Sequence, residues 1–305
     1  MRKTCLNTVY KLGKKNKKII FLGSDLGPGV LDDFKKEMPD RFLMEGVSEQ
    51  SIIGLSAGLA MEGFVPYVNT IATFITRRCF EQVVVDLSLH NLPVKLIGNG
   101  GGLVYAPLGP THQAIEDLSI MRSIPNMSII SPCDAIEMEA LMKDSINYKK
   151  PLYIRLARGG DKIVTKKNEK ISIGKGNLKI IPKDYLFITT GVMTQIAIEA
   201  SNFLKKRRNI NAGVLHLGTV KPLDKNLLIK WIPKVKKIVT VEENVLSGGF
   251  GSSILEFTSE NFPKHLHKIS RIGLKDQFIE QYGSQDLLFK SNNLTKENLI
   301  KKILS

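Results

Sequence analysis

The chain is 305 residues long, 43% hydrophobic and 24% charged, enough to bury two globular cores. Lys and Arg number 44 against 29 Asp and Glu, a formal charge of +15. The basic clusters at Lys14–Lys18, Lys166–Lys170, Lys205–Arg208 and Lys234–Lys237 lack aromatic residues at stacking intervals, which argues against a nucleic-acid interface and for a solvated surface that steers anions.

The N-terminal stretch Met1 to Asn16 is basic and polar rather than a secretory leader, and no later run reaches the length of a membrane span. Cys5, Cys79 and Cys133 show no short repeated spacing, so neither a disulfide scaffold nor a thiolate zinc site is expected. These features make a reducing, cytoplasmic setting the default.

Lys18–Gly23, KIIFLG, reads as a short buried strand, followed by a loop through Asp25–Gly29 and a brief helix at Asp32–Met38. Ser51–Met61 is helix-compatible, and Gly63–Val68 begins a strand. Thr73–Leu89 carries apolar positions at Phe74, Cys79, Phe80, Val83, Val84 and Leu87, which predicts a helix with one buried side and Phe80 packed on the sheet. Val94–Ile97 is a strand, Gly100–Gly102 a flexible run, Ile115–Arg122 a helix, Ile129–Ser131 a strand and Ala135–Asn147 a helix.

Pro151–Ala157 closes this unit, and Arg158–Lys170 has the composition of a linker. Beyond it, strands are expected at Leu186–Thr189, Ala212–His216 and Lys237–Val241, with helices near Thr194–Lys206 and Gly251–Glu260. The alternation predicts an α/β protein of two domains, each a mostly parallel sheet flanked by helices. The domains are expected at 1–165, including the short basic N-terminal extension, and at 171–305.

On local pattern alone, Glu49 is either a solvated acid at a helix start, where the helix dipole favours it, or a catalytic carboxylate. The run FLMEGVSEQSIIGLSAGLAMEG (42–63) resembles the cofactor-activating segment of the transketolase family, with Gly46, Glu49, Gln50, Gly54, Ala57, Gly58, Leu59 and Ala60 in matching places. TIATFITRRCFEQVVVD (70–86) carries the resemblance further, in the Phe74-to-Gln82 spacing of split transketolases, and GPTHQAIED (109–117) resembles the family's substrate loop. The likeness is nearest to the C-terminal subunit of split transketolases and extends less closely to deoxyxylulose-phosphate synthase.

The resemblance implies thiamine diphosphate as cofactor. It implies that Glu49 hydrogen-bonds the aminopyrimidine ring nitrogen and so drives deprotonation of the thiazolium carbon, a task that needs a group able both to donate and to accept a proton. Phe74 is then the ring that stacks on the pyrimidine, and His112 faces the reacting sugar, its imidazole able to donate, accept or carry charge. Asp25 and Arg78 resemble residues that touch the cofactor or lie between the chains. A turn role remains open for Asp25, and a salt bridge, a phosphate contact or a pairing with Glu81 for the neighbouring arginines. Arg158, in LYIRLARG, resembles an arginine that recognises an acceptor phosphate, beside the alternative of an inter-domain ion pair.

One stretch departs from the family pattern: Gly100 stands where a loop histidine is expected, and Pro107 and Leu108 replace an acidic pair. Gly100 and Tyr105 are therefore expected to shape the substrate pocket, and an unusual, phosphorylated or otherwise anionic sugar is expected in place of the ordinary pentose phosphates. Gly248, Gly249 and Gly251 suggest a phosphate cradle but match neither a Walker loop nor the dinucleotide fingerprint. Glu242, Glu243 and Asn244 read as loop or interface groups.

The family's Gly–Asp–Gly segment, which holds the diphosphate, precedes the region matched here. The resemblance therefore implies a separate N-terminal subunit that holds the diphosphate and its Mg2+, in a heterotetramer of two copies of each chain. Two alternatives stay open: a decarboxylating carboligase related to deoxyxylulose-phosphate synthase, and a non-catalytic cofactor-binding subunit.

Overall fold

The computed structural model describes residues 1–24 and 31–305; the contact expected of Asp25 lies outside them. The first half runs α1 (Arg2–Lys15), β1 (Ile19–Gly23), α2 (Asp32–Glu37), β2 (Phe42–Met44), α3 (Glu49–Met61) and β3 (Val65–Ile71). It continues with a helical run α4 (74–89), β4 (Lys95–Asn99), α5 (Asp117–Ser123), β5 (Ser128–Ile130), α6 (Ala135–Ser145) and β6 (Leu152–Leu156). The strands read as near-continuous apolar runs because both faces of a parallel sheet are covered, and β1, β4, β5 and β6 are buried at every position.

The second half contains β7 (Asn177–Ile180), β8 (Tyr185–Thr189), α7 (Met193–Arg208), β9 (Ala212–His216), β10 (Thr219–Lys221) and α8 (Lys225–Trp231). It ends with β11 (Lys237–Val245), α9 (Phe250–Asn261), β12 (Ile269–Leu274), α10 (Gln285–Ser291) and α11 (Lys296–Leu304). Its sheet has the order β12-β11-β8-β9-β7, parallel except for the edge strand β7. The first sheet has the order β10-β5-β6-β4-β3-β1-β2, so β10, from the second half, crosses back and pairs antiparallel with β5. The architecture is the α/β one expected, two mostly parallel sheets flanked by helices.

Three local expectations change. The basic N-terminal stretch is a helix rather than an extension: Cys5, Leu6 and Val9 line one face of α1, which packs on α6 and turns its lysines outward. Within α4, Phe74–Arg78 and Val83–Leu89 are π-wound and only Phe80–Gln82 is α-helical. That wider winding buries Ile75, Cys79, Val83 and Leu87, four residues apart, and leaves Phe80 exposed instead of packed on the sheet. Glu242, Glu243 and Asn244 are not loop groups but buried residues of β11. Among the described residues, no helix is long and apolar enough to cross a membrane.

Candidate active site

The carboxyl ends of β1, β3 and β4 bring most of the expected residues together. Glu49 is the first residue of α3 and is buried. Its Oε1 accepts the Ser24 hydroxyl at 3.2 Å, and its Oε2 accepts Arg78 Nη1 at 2.7 Å. The Arg78 guanidinium in turn lies over the face of Phe74, 4.4 Å from the ring centroid. His112 meets the same ring edge-on, centroids 5.3 Å apart and planes tilted by 63°. Tyr105 meets His112 edge-on at 6.4 Å, and Thr111 Oγ1 lies 2.8 Å from His112 Nδ1. Acid, ring, arginine and histidine thus form one contiguous group, with the two ring contacts on a π-wound turn of the kind often found at functional sites.

Two arginines that sequence reasoning left unassigned fix the histidine loop. Arg77 donates to the carbonyls of Pro110 at 3.1 Å and Gln113 at 2.9 Å, and makes a two-point ion pair with Glu116. Arg155, buried in β6, holds both oxygens of Asp117 at 2.8 Å and the carbonyls of Ala114 and Glu243 at 3.1 and 2.8 Å. The loop between Gly109 and Asp117 is therefore gripped from two sides, and its histidine is pre-positioned. A fork with five donors suits this work; no spacing in the sequence signals it, because Arg77 and Arg155 lie on elements distant in the chain from each other.

The glycine run after β4 is not a flexible connection. Gly100 has φ +77°, and a Cβ there would fall 2.2 Å from the Tyr105 ring. A Cβ on Gly101 would meet Arg155 at 2.4 Å, and one on Gly102 the Glu243 carboxyl at 2.4 Å. Gly100 is buried under Tyr105, so its place is to seat that ring, whereas Pro107 and Leu108 face outward. Arg158 is exposed two residues beyond β6 and is not brought into the cluster.

The second half of the chain supports the site from behind. Glu243 Oε1 accepts the Leu103 N–H at 2.7 Å and the Gln285 amide at 2.8 Å; burial pushes its carboxyl up to about 7, against the pull of Arg155. Elsewhere, among the described residues, Cys133, Glu137 and His216 place three metal-ligating atoms within 4.8 Å. Their polar atoms are already committed: His216 Nε2 meets both Glu137 oxygens at 2.8 and 3.0 Å, and Nδ1 meets Thr194 at 2.7 Å. Burial favours a neutral Glu137, but His216 and the Cys133 N–H outweigh it and hold the carboxyl down to about 2.

Whether the site fits the pyrimidine of thiamine diphosphate can be judged from Arg78. A flat cation with N–H groups along its edge already rests on Phe74 and donates to Glu49, so this ring and this carboxylate match the two contacts an aminopyrimidine requires. No described residue is assigned to the diphosphate or to Mg2+.

The pyrimidine-binding domain model of transketolases matches residues 1–160, and the transketolase C-terminal domain model matches residues 174–299. The 1-deoxy-D-xylulose-5-phosphate synthase of Halothermothrix orenii is 41% identical over 89% of this chain, which spans 43% of that enzyme, less than half its length. One of the subunits of the apulose-4-phosphate transketolase of Phocaeicola vulgatus is 33% identical over 99% of this chain and 96% of its own. A solved split-gene transketolase, described as an inactive beta4 tetramer, superposes with a TM-score of 0.89 at 31% identity, covering 99% of this chain and 96% of that one. The chain belongs to the transketolase family, and it matches split-gene members from end to end.

Proposed function

We propose that the chain is the pyrimidine-binding half of a thiamine-diphosphate-dependent transferase that moves a two-carbon ketol unit from a ketose to an aldehyde. The observation that carries this reading is the contiguous group Glu49, Arg78, Phe74 and His112. When bound, the cofactor supplies a nucleophilic carbon able to cleave the bond beside a ketose carbonyl. With the cofactor bound, Glu49 would hold or exchange a proton with its pyrimidine ring nitrogen, Phe74 would support the ring's flat face, and His112 would position or polarise the sugar oxygen.

Arg77 and Arg155 hold the His112 loop in place for that task. Pro107 and Leu108, exposed where the family pattern has acids, support a non-standard sugar. Arg158, exposed two residues beyond β6 and outside the cluster, is the group we assign to the distal phosphate or similar anion of an acceptor. A separate N-terminal subunit would hold the diphosphate and Mg2+, in a complex of two copies of each chain. The near-complete coverage of the split-gene relatives supports that arrangement.

A second reading, a ligase that joins a decarboxylated 2-oxo acid to an aldehyde, is favoured by one observation: the synthases are 37–41% identical to this chain, above the 33% of the apulose-4-phosphate transketolase chain. The deciding experiment combines the chain with the N-terminal half-enzyme that co-purifies with it and adds thiamine diphosphate and Mg2+. Donor ketoses or 2-oxo acids are then offered with aldehydes. A shortened aldose is the expected product. Carbon dioxide release would establish the ligase instead, and a complex that binds cofactor without turnover would make the chain a non-catalytic subunit.

A further inference from the structure

Arg78 lies where a ring would lie. Its guanidinium is 4.4 Å from the Phe74 centroid and donates to Glu49 Oε2 at 2.7 Å. A guanidinium is planar, delocalised and edged with N–H donors, so it meets the same face and the same carboxylate oxygen that an aminopyrimidine would use. The two cannot use them together. On the reading of Glu49 and Phe74 given above, we propose that Arg78 is an exchangeable occupant of the pyrimidine seat: the ring enters only as the guanidinium turns outward, and this side chain sets the threshold for cofactor loading.

The surroundings permit that exchange. The Arg78 side chain is 44% exposed while that of Glu49 is 3% exposed, so the arginine leaves toward water and the acid stays in place. Gln50 Nε2 holds the Arg78 carbonyl at 3.1 Å, which confines the movement to side-chain rotation. Ser24 keeps Glu49 Oε1 while Oε2 changes partner. Arg77 is not free to substitute, because its guanidinium is spent on Pro110, Gln113 and Glu116. The ion pair joins a buried acid to a half-exposed arginine, and it can open without stranding the acid because the entering ring takes over the Oε2 contact, while the single cation–π contact is modest. A ligand that must displace such an occupant loses affinity by the fraction of time the seat is filled.

The test titrates the full-length chain with thiamine, which carries the pyrimidine without the diphosphate, and follows arginine Nε–H resonances by NMR. The signal of Arg78 is assigned by its loss in Arg78→Ala. In the wild type it should be displaced by the Phe74 ring current and should move to a solvent-like position as thiamine saturates. Arg78→Ala should bind thiamine about three- to tenfold more tightly, and Arg78→Lys, which keeps the charge but not the plane, should fall between. Weaker binding by Arg78→Ala, or a resonance that stays ring-shifted at saturation, overturns the exchange while leaving the seat. Thiamine binding that is indifferent to Phe74→Ala, or absent from wild type and Arg78→Ala alike, overturns the seat and the exchange together.

Discussion

Glu49 opens α3 and Glu242 faces the first turn of α9, so both buried acids lie where a helix dipole favours negative charge. Glu49 divides its oxygens between the Ser24 hydroxyl and a half-exposed arginine, both side chains. Glu242 gives both of its oxygens to backbone, accepting the N–H groups of Phe250 and Gly251 at 2.6 and 2.7 Å. The glycine-rich turn before α9 exists for that acid: a Cβ on Gly249 would stand 2.3 Å from Glu242 Oε2, and one on Gly251 2.8 Å from Oε1. What looks in sequence like a cradle for a ligand's phosphate is filled by the chain's own carboxyl group. A buried acid becomes chemically useful where one of its partners can move aside, and structural where its partners are fixed peptide groups.

The contrast breaks most sharply under substitution. Glu49→Gln in the assembled enzyme should lower turnover about 10²- to 10⁴-fold with little change in melting temperature; a variant that keeps its turnover would put Glu49 in the same class as Glu242. Glu242→Gln should do the opposite. Its amide nitrogen cannot accept the buried N–H that a carboxyl oxygen accepts in either protonation state, which costs about 1–3 kcal/mol in urea unfolding, while turnover per folded molecule stays the same.

A pH series sharpens the second case. Burial pushes the Glu242 carboxyl up to about 8, against the stabilising N–H groups of Gly251 and Phe250. A folded value above the unfolded one means that its contribution is complete below the ordinary carboxylate range and is lost as pH rises through about 8. The stability advantage of wild type over Glu242→Gln should therefore shrink from mildly acidic to mildly alkaline pH. Lys95, which burial pushes down to about 7, acts in the other sense but cancels in that difference. A flat difference would mean that the peptide N–H groups win over burial. The smallest effect belongs to Ser24→Ala, which removes one neutral hydrogen bond from Glu49 and should cost at most about tenfold in turnover.

The sheets were legible because buried parallel strands write themselves as unbroken apolar runs, as in Ile19–Gly23 and Ala212–His216. Short edge strands such as β7 and β10 carry no such run. Helix α1 was hidden by its lysines, since only one narrow face is apolar. Phe80 was misplaced because a 3.6-residue period does not hold through π-wound turns. Within the site, Glu49, Phe74, Arg78, Tyr105 and His112 could be named from spacing and resemblance, and they do converge. Arg77 and Arg155 could not, because their partners are carbonyls and acids brought near only by folding. Gly100 was read as freedom when it is tight packing, a distinction that depends on the Tyr105 ring above it.

The strand Thr219–Lys221 gives the molecule an indivisibility that its linker conceals. Because that strand completes the edge of the first sheet beside Ser128–Ile130, a fragment ended within 158–170 would be left with an unpaired row of peptide groups along its margin. Exposed rows of this kind recruit other chains. The fragment would therefore tend to aggregate, and swapping whole halves between relatives would succeed only where the returning strand travels with the sheet it finishes.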